Sequence, residues 1–413
     1  MLNLSELAGF ARRASIARWL AGALVGASLV AAVQAQAAPV VVPAQGVPSL
    51  TSNADRMISY RHQEHMWQTS DGALHVMINR GTLAPNSGLQ LYTSQDNGLT
   101  WTLSASTGNT GTQSTSDGVL VGDTLSLVYS NNNNVIIYAG LQYNSSSKTW
   151  TPTGSQAVFG SQATTALNPA IAFDTVGNAW VAYVAQNISN GNYSIRMAKR
   201  NAGSTVWVDT GLVFGTVDNT SIERSARPIQ MPNGMGMVFA VHDKVYWATR
   251  DNALPDNSAW TTALLFTHTP GSGLDPYASH FNVLADDANN LHMAMVDAGN
   301  IKYLRYASRA GAWNAARALT TDGQAAYCQV SLVDGSKLAI SYNMASKVSK
   351  TLVSIDKGLT FTGGYLLTHP APTDGIEYSY ARIETPIRVK SPAPLLQQYT
   401  DHGTQRVMLF QEP

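Results

Sequence analysis

Short segments rich in arginine, histidine and tyrosine stand out in a chain that otherwise carries few charges. The candidate side chains are Arg61, His62 and His65; Glu223, Arg224 and Arg227; Tyr277, His280 and Asn282; and Tyr380 with Arg382. Guanidinium groups bind carboxylates, and neutral histidine or tyrosine side chains transfer protons near neutral pH. The carboxylate pair of an ordinary glycosidase is not obvious among them. These residue types therefore favour chemistry beside a substrate carboxylate.

The composition excludes several classes of protein. The 413 residues include 26 Lys and Arg against 26 Asp and Glu, and only 13% of the chain is charged. This balance argues against a disordered or nucleic-acid-binding protein, since neither a charge excess nor a basic patch is visible. The one cysteine, Cys328, excludes an intramolecular disulfide and a cysteine-rich zinc site. The abundance of Asn, Ser, Thr and Gly favours many short strands over long helices.

The N-terminus has the pattern of a secretory signal peptide. An apolar run over residues 19–33 follows three arginines, Arg12, Arg13 and Arg18. After this run, Ala35-Gln36-Ala37 fits the small-residue cleavage pattern. The apolar run is short for a transmembrane helix, which needs roughly 20 residues. We therefore expect residues 1–37 to be removed, and the mature protein to be secreted or periplasmic and free of the membrane.

A repeat of roughly 50 residues organises the rest of the chain. Ser94–Trp101 and Ser354–Phe361 share the pattern S-x-D-x-G-x-T followed by an aromatic residue. Degenerate versions, each a polar turn running into one tryptophan, end at Trp150, Trp207, Trp260 and Trp313. Within each repeat two strand-like runs flank a Gly or Asn turn, as at Asp71-Gly72, and a third run follows. The repeat predicts a series of four-stranded antiparallel sheets.

The eight-residue pattern resembles the Asp box of sialidases and of the wider group of Asp-box, or BNR-repeat, β-propellers. The resemblance implies that Asp96 and Asp356 shape a turn between the third and fourth strands of a blade and are not catalytic. We therefore expect an all-β protein in which residues 38–413 form a single β-propeller domain of seven blades, with six as the alternative. An N-terminal strand near Val40–Val42 or Arg56–Tyr60 is expected to close the seventh blade.

The same resemblance indicates where the site lies. In such propellers, residues at the start of each innermost strand converge on one mouth of the central channel. This convergence would bring the candidate side chains into one polar ring, to which Glu64, Asp117, Tyr327 and Glu384 also belong. Within it we expect His65, His280, Tyr277 and Tyr380 to be catalytic. The expected substrate-binding residues are Arg61, His62, Glu223, Arg224, Arg227, Asn282 and Arg382.

Three functions fit this ring. The first is a polysaccharide lyase, similar to the propeller families that cleave ulvan and rhamnose-glucuronate polymers, in which arginine neutralises a uronate carboxylate and His or Tyr removes the adjacent proton. The second is a sialidase-like hydrolase, although His62-Gln63 replaces the Ile-Pro of the sialidase opening motif. The third is a non-catalytic module that binds glycan or protein. We expect a polysaccharide or oligosaccharide partner and no cofactor, while a metal stays open because no ligand spacing supports one.

Overall fold

The computed structural model describes residues 39–58, 60–84, 87–108, 110–131, 133, 135–160, 164–219, 224–269, 277–345, 348–369 and 379–413. All of them belong to one compact unit, Ala37–Pro413. Their regular structure consists of strands, and none of the described segments is a helix long and apolar enough to cross a membrane. The predicted signal peptide lies outside the described residues.

The strands fall into seven groups along the described chain. Two strands come first: β1 (Val40–Pro43) and β2 (Gln45–Ser52). Sheet 1 contains β3 (Met66–Gln68), β4 (Leu74–Asn79), β5 (Leu89–Ser94) and β6 (Thr102–Ser106). Sheet 2 contains β7 (Ser116–Val121), β8 (Thr124–Ser130), β9 (Ile136–Asn144) and β10 (Thr149–Phe159). Sheet 3 contains β11 (Thr164–Phe173), β12 (Ala179–Asn187), β13 (Tyr193–Arg200) and β14 (Val208–Asp218).

The second half of the chain repeats this arrangement. Sheet 4 contains β15 (Arg224–Met231), β16 (Gly234–Val241), β17 (Lys244–Asp251) and β18 (Thr261–Thr267). Sheet 5 contains β19 (Phe281–Ala285), β20 (Leu291–Asp297), β21 (Asn300–Ala307) and an outer strand in two pieces, β22 (Ala312–Trp313) and β23 (Arg317–Ala318). Sheet 6 contains β24 (Ala325–Val333), β25 (Lys337–Met344), β26 (Ser349–Ser354) and β27 (Thr362–Thr368). Sheet 7 contains β28 (Ser379–Glu384), β30 (Ala393–Asp401) and β31 (Thr404–Glu412). The short strand β29 (Arg388–Val389), which follows β28 in the chain, pairs parallel with β24 of sheet 6.

The sheets form a closed ring, which defines a β-propeller. Consecutive strands within each sheet pair antiparallel, and the first strands of sheets 2 to 7 contact one another in sequence. Every neighbouring pair shares a buried apolar cluster. Trp67 of sheet 1 packs with Leu125 of sheet 2, and Leu74 of sheet 1 packs with Leu396 of sheet 7. The second contact joins the end of the chain to its beginning, so apolar burial between sheets closes the ring.

The closing strand differs from both segments expected from the sequence. Strand β2 pairs antiparallel with β31 and completes sheet 7, whereas the described residues within 56–60 contain no strand. Strand β1 pairs parallel with β27 of sheet 6, because Val42 packs against Leu367 there. Pro48 lies within β2, which is the outermost strand of its sheet, where a missing backbone N–H costs least.

The two S-x-D-x-G-x-T segments form matching turns between third and fourth strands. In the first, Asp96 Oδ1 accepts from Ser94 Oγ and from the backbone N–H of Thr100, each at 2.8 Å. The backbone N–H of Gly98, which has a φ of 94°, donates to Ser94 Oγ at 2.8 Å. Asp356 accepts the corresponding bonds in the second segment. Both carboxylates therefore serve their own turns.

Candidate functional site

Residues Arg61–His65, called here the central segment, lie across the propeller axis just before β3. Hydrogen bonds from four sheets hold this segment. Asn282 Nδ2 of sheet 5 donates to the carbonyl of Arg61, and Gln63 Nε2 donates to the carbonyl of Pro169 in sheet 3 at 2.7 Å. The N–H of Glu64 donates to Asp117 Oδ1 of sheet 2 at 2.7 Å, and the N–H of His65 donates to Glu384 Oε1 of sheet 7 at 3.2 Å. Five consecutive residues can reach sheets 2, 3, 5 and 7 only near the axis of the ring.

A buried charge network lies on one side of the central segment. Arg227 Nη1 donates to Asp117 Oδ1, while Arg227 Nη2 lies 3.8 Å from Glu64 Oε2. Asp117 Oδ2 also accepts from the N–H of Ile171 at 2.8 Å. Burial raises the pKa of Glu64 to about 8, despite the opposing charge of Arg227, and the charges of Asp117 and Glu384 add to the rise. Glu64 is therefore mostly protonated at neutral pH.

Glu64 and Arg227 lie at one end of a cavity of about 1330 Å³, called here the channel cavity. Its walls come from the later halves of the innermost strands, and its other end is bordered by Gly122, Gly177 and Gly335. These glycines belong to the turns that join first and second strands. The channel cavity therefore lies on the side of the propeller opposite the starts of the innermost strands, where the sequence predicted the site.

His65 forms an oriented pair with Glu384. Its Nδ1 lies 3.1 Å from Glu384 Oε2, which also accepts from Gln329 Nε2 at 3.1 Å. Nε2 of His65 is buried and has no hydrogen-bond partner among the described residues. A carboxylate at Nδ1 favours the tautomer that leaves Nε2 as the acceptor. However, His65 is only 1% exposed, so a polymer does not reach it in this conformation.

His62 is equally buried and lies beside the charge network. Burial, with the nearby charges of Arg227, His280 and His65, holds its pKa well below the usual value. Its ring lies 5.8 Å from the ring of Tyr60 and 6.0 Å from that of Phe281. His62 is therefore neutral at physiological pH. It lies between Arg227 of the charge network and Tyr60 on the opposite side of the central segment.

Arginine and tyrosine side chains gather on that opposite side, at the starts of the innermost strands. This mouth cluster consists of Arg56, Tyr60, Arg61, Tyr277, His280, Tyr327 and Arg382. The guanidinium of Arg61 lies 3.6 Å from the ring centre of Tyr327, and that of Arg56 lies 4.5 Å from the ring centre of Tyr60. The ring of His280 lies 5.1 Å from Tyr277 and 6.1 Å from Tyr60.

Three guanidinium groups lie near one another in the mouth cluster. Burial lowers the pKa of Arg382, and the charges of Arg61 and Arg56 lower it further. Arg382 Nη1 donates to the main-chain carbonyl of Asp55, a contact that does not neutralise its charge. An anion bound here would relieve the repulsion among three guanidinium groups.

The expected site residues divide between these places. Arg61, Tyr277, His280 and Arg382 meet in the mouth cluster, with His62 and His65 next to it. Arg227 departs from its expected role, because Asp117 balances its charge and it faces the channel cavity. Asn282 departs as well: its amide donates to Arg61 and its Oδ1 accepts from the N–H of Val330 at 2.9 Å, so it positions the backbone.

Of the remaining expected residues, Arg224 is the one whose side chain the structure describes. Arg224 is buried and forms an ion pair with Asp218 at the end of the outermost strand of sheet 3, which takes its guanidinium away from the mouth cluster. Glu223 and the side chain of Tyr380 lie outside the described residues. Sequence reasoning missed Arg56, because the residue stands in a stretch read as a closing strand.

No protein-family model matches the chain, and no curated protein matches it either. Among solved structures, AofleA from Arthrobotrys oligospora is 10% identical, with a TM-score of 0.48, and covers 78% of this chain and 93% of its own. The Aleuria aurantia lectin with α-methyl-L-fucoside is 12% identical, with a TM-score of 0.47 and coverage of 75% and 95%. A Penicillium chrysogenum α-L-arabinanase with arabinobiose is 11% identical, with a TM-score of 0.45 and coverage of 77% and 99%. The Aleuria aurantia lectin is described as a six-bladed propeller. These similarities carry no argument about ligand or blade number, so the propeller assignment here depends on the sheets themselves.

Proposed function

We propose that the chain is a secreted, seven-bladed β-propeller of the Asp-box type, in which each of the seven sheets is one blade. We further propose that it acts on an acidic polysaccharide and cleaves a uronate-containing chain by β-elimination at the mouth cluster. The observation that carries this proposal is the proximity of three guanidinium groups to one another and to the rings of Tyr60 and Tyr327 at one end of the propeller.

The charge arrangement supports an acidic sugar as the substrate. Elimination from a uronate removes a weakly acidic proton beside the carboxylate, and negative charge spreads onto that carboxylate in the transition state. Arg382, which is half-buried, would bind the carboxylate, and the buried guanidinium of Arg61 would stabilise this charge from a longer distance. The rings of Tyr60 and Tyr327 lie against the guanidinium groups of Arg56 and Arg61 and would hold these charges in place.

The proton transfers would fall to His280 and Tyr277. Both are half-buried, so a substrate at the mouth can reach them, and their rings adjoin each other. His280 would remove the proton as the base, and Tyr277 would protonate the leaving oxygen. His65 would act through the central segment, which it anchors to Glu384.

The test is a screen of uronate polysaccharides and sialosides with the purified protein. An unsaturated uronate product, detected by its ultraviolet absorbance, supports elimination. A new reducing end with no unsaturated uronate on the other fragment would overturn it in favour of sialidase-like or other hydrolysis. Retained glycan binding without turnover on either panel would instead support a binding module.

Variants then locate the site. We expect Arg382→Ala and His280→Ala each to lower kcat/KM by roughly 100-fold or more, because transition-state charge and proton transfer lose a partner. The matched control is Arg309→Ala, because Arg309 is exposed on sheet 5 and lies outside the mouth cluster. Equal losses in the control, or none in either site variant, would refute the assignment to the mouth cluster.

A further inference from the structure

The channel cavity is a second concave site, which the central segment separates from the mouth cluster. Its walls are largely apolar and come from nearly every sheet, including Trp67, Val119, Ile171, Val283, Leu332 and Val389. Its volume of about 1330 Å³ exceeds that of most pockets for small ligands, which measure roughly 300 to 1000 Å³. A concave apolar surface of this size favours an apolar ligand.

The end of the cavity at Glu64 and Arg227, called here its floor, offers hydrogen-bond donors. The positive charge of Arg227 is balanced there by Asp117. Arg227 Nη2 is 3.8 Å from Glu64, too far for a hydrogen bond, so it can still donate to a ligand. The Glu64 carboxyl also donates when it is protonated. The side chains of Arg227 and Glu64 are 8% and 12% exposed, and both line the cavity.

The charges around the floor decide which head group fits. A carboxylate or sulfonate there would face Asp117 and Glu384, the acidic neighbours of Glu64. An ammonium group would face Arg227. An uncharged oxygen that accepts hydrogen bonds avoids both repulsions and satisfies the two donors.

We propose that the channel cavity binds an uncharged, largely apolar molecule whose carbonyl or hydroxyl oxygen accepts hydrogen bonds from Arg227 and Glu64 at the floor. This site is independent of the elimination proposed for the mouth cluster. The ligand enters from the side of the turns between first and second strands and packs its apolar body against the ends of the innermost strands.

The test uses Prodan, an uncharged naphthalene ketone whose fluorescence shifts to the blue in apolar surroundings, with the full protein. We expect saturable binding of one Prodan per chain and binding at least tenfold weaker for anilinonaphthalene sulfonate, which carries a negative head group. Ala285 is half-buried in the wall of the cavity. Ala285→Trp should abolish the Prodan signal by filling the cavity, whereas Ala285→Ser should keep it.

A pH titration of Prodan binding tests the floor separately. Ionisation of Glu64 above pH 8 replaces a donor with a charged acceptor, so binding should weaken several-fold between pH 7 and 9. Glu64→Gln keeps an N–H donor and should bind Prodan without this pH dependence. No saturable binding, full binding by a folded Ala285→Trp variant, or equal affinity for the sulfonate would overturn the proposal. Circular dichroism establishes that each variant is folded.

Discussion

Replacing Asn282 with alanine should destabilise the whole ring, because this amide joins two sheets to the central segment. Asn282 is 2% exposed, its Nδ2 donates to the carbonyl of Arg61, and its Oδ1 accepts from the N–H of Val330. The alanine variant leaves that carbonyl and that N–H buried without these partners. Each such group costs roughly 1 to 3 kcal/mol, so the free energy of unfolding should fall by roughly 2 to 6 kcal/mol.

Urea denaturation followed by tryptophan fluorescence measures this loss, with an unchanged m value as the sign that the unfolding transition stays the same. The control is Asn201→Ala, because Asn201 is exposed in a turn of sheet 3. It should stay within about 0.5 kcal/mol of the wild type. If Asn282→Ala behaves like the control and only weakens glycan binding, Asn282 contacts the substrate and the positioning role given to it here is wrong.

Three further outcomes are expected in unfolding experiments. Hydrogen bonds from Thr360 lower the pKa of Asp356 to about 2, so Asp356→Asn should lose stability at neutral pH by a margin that shrinks as pH falls from about 4 to 2. Burial raises the pKa of Glu412 to about 7 from 4.5, so wild-type stability should decline as pH rises between these values, and Glu412→Gln should remove that decline. Gly236→Ala should lower the free energy of unfolding by roughly 1 to 3 kcal/mol, because its Cβ would lie 2.0 Å from Trp247. Gly46→Ala, with open space around it, is the control and should change stability little. Equal losses in the two variants would contradict this packing.

The repeating sheets could be predicted from the sequence because their signals are local. Strand alternation, a Gly or Asn turn and a polar turn before an aromatic residue all fall within a few residues of one another. Asp71-Gly72 does join β3 to β4, and Ser94–Trp101 does join β5 to β6. Local hydrogen bonding and side-chain alternation suffice to specify such units.

The contacts between sheets could not be predicted in the same way. Arg227 pairs with Asp117, 110 positions away in the chain, and nothing near either residue indicates the other. Arg224 was expected at the mouth because it starts an innermost strand, yet its guanidinium pairs with Asp218 on the neighbouring sheet. The pKa of Glu64 depends on burial by the assembled ring. Such properties arise from tertiary packing, which residue types and spacing do not encode locally.

Strand β2 has a consequence for aggregation as well as for closure. It covers the outer edge of β31, the last strand of the described chain, through pairs such as Gln45 with Leu409. Without β2, β31 would expose a row of backbone N–H and C=O groups, and such an edge recruits strands from other molecules. Because the pair joins distant parts of the chain, it should also form late in folding. A chain that lacks the residues up to Ser52 would therefore tend to associate through sheet 7, so the strand that completes this sheet also prevents association between copies of the protein.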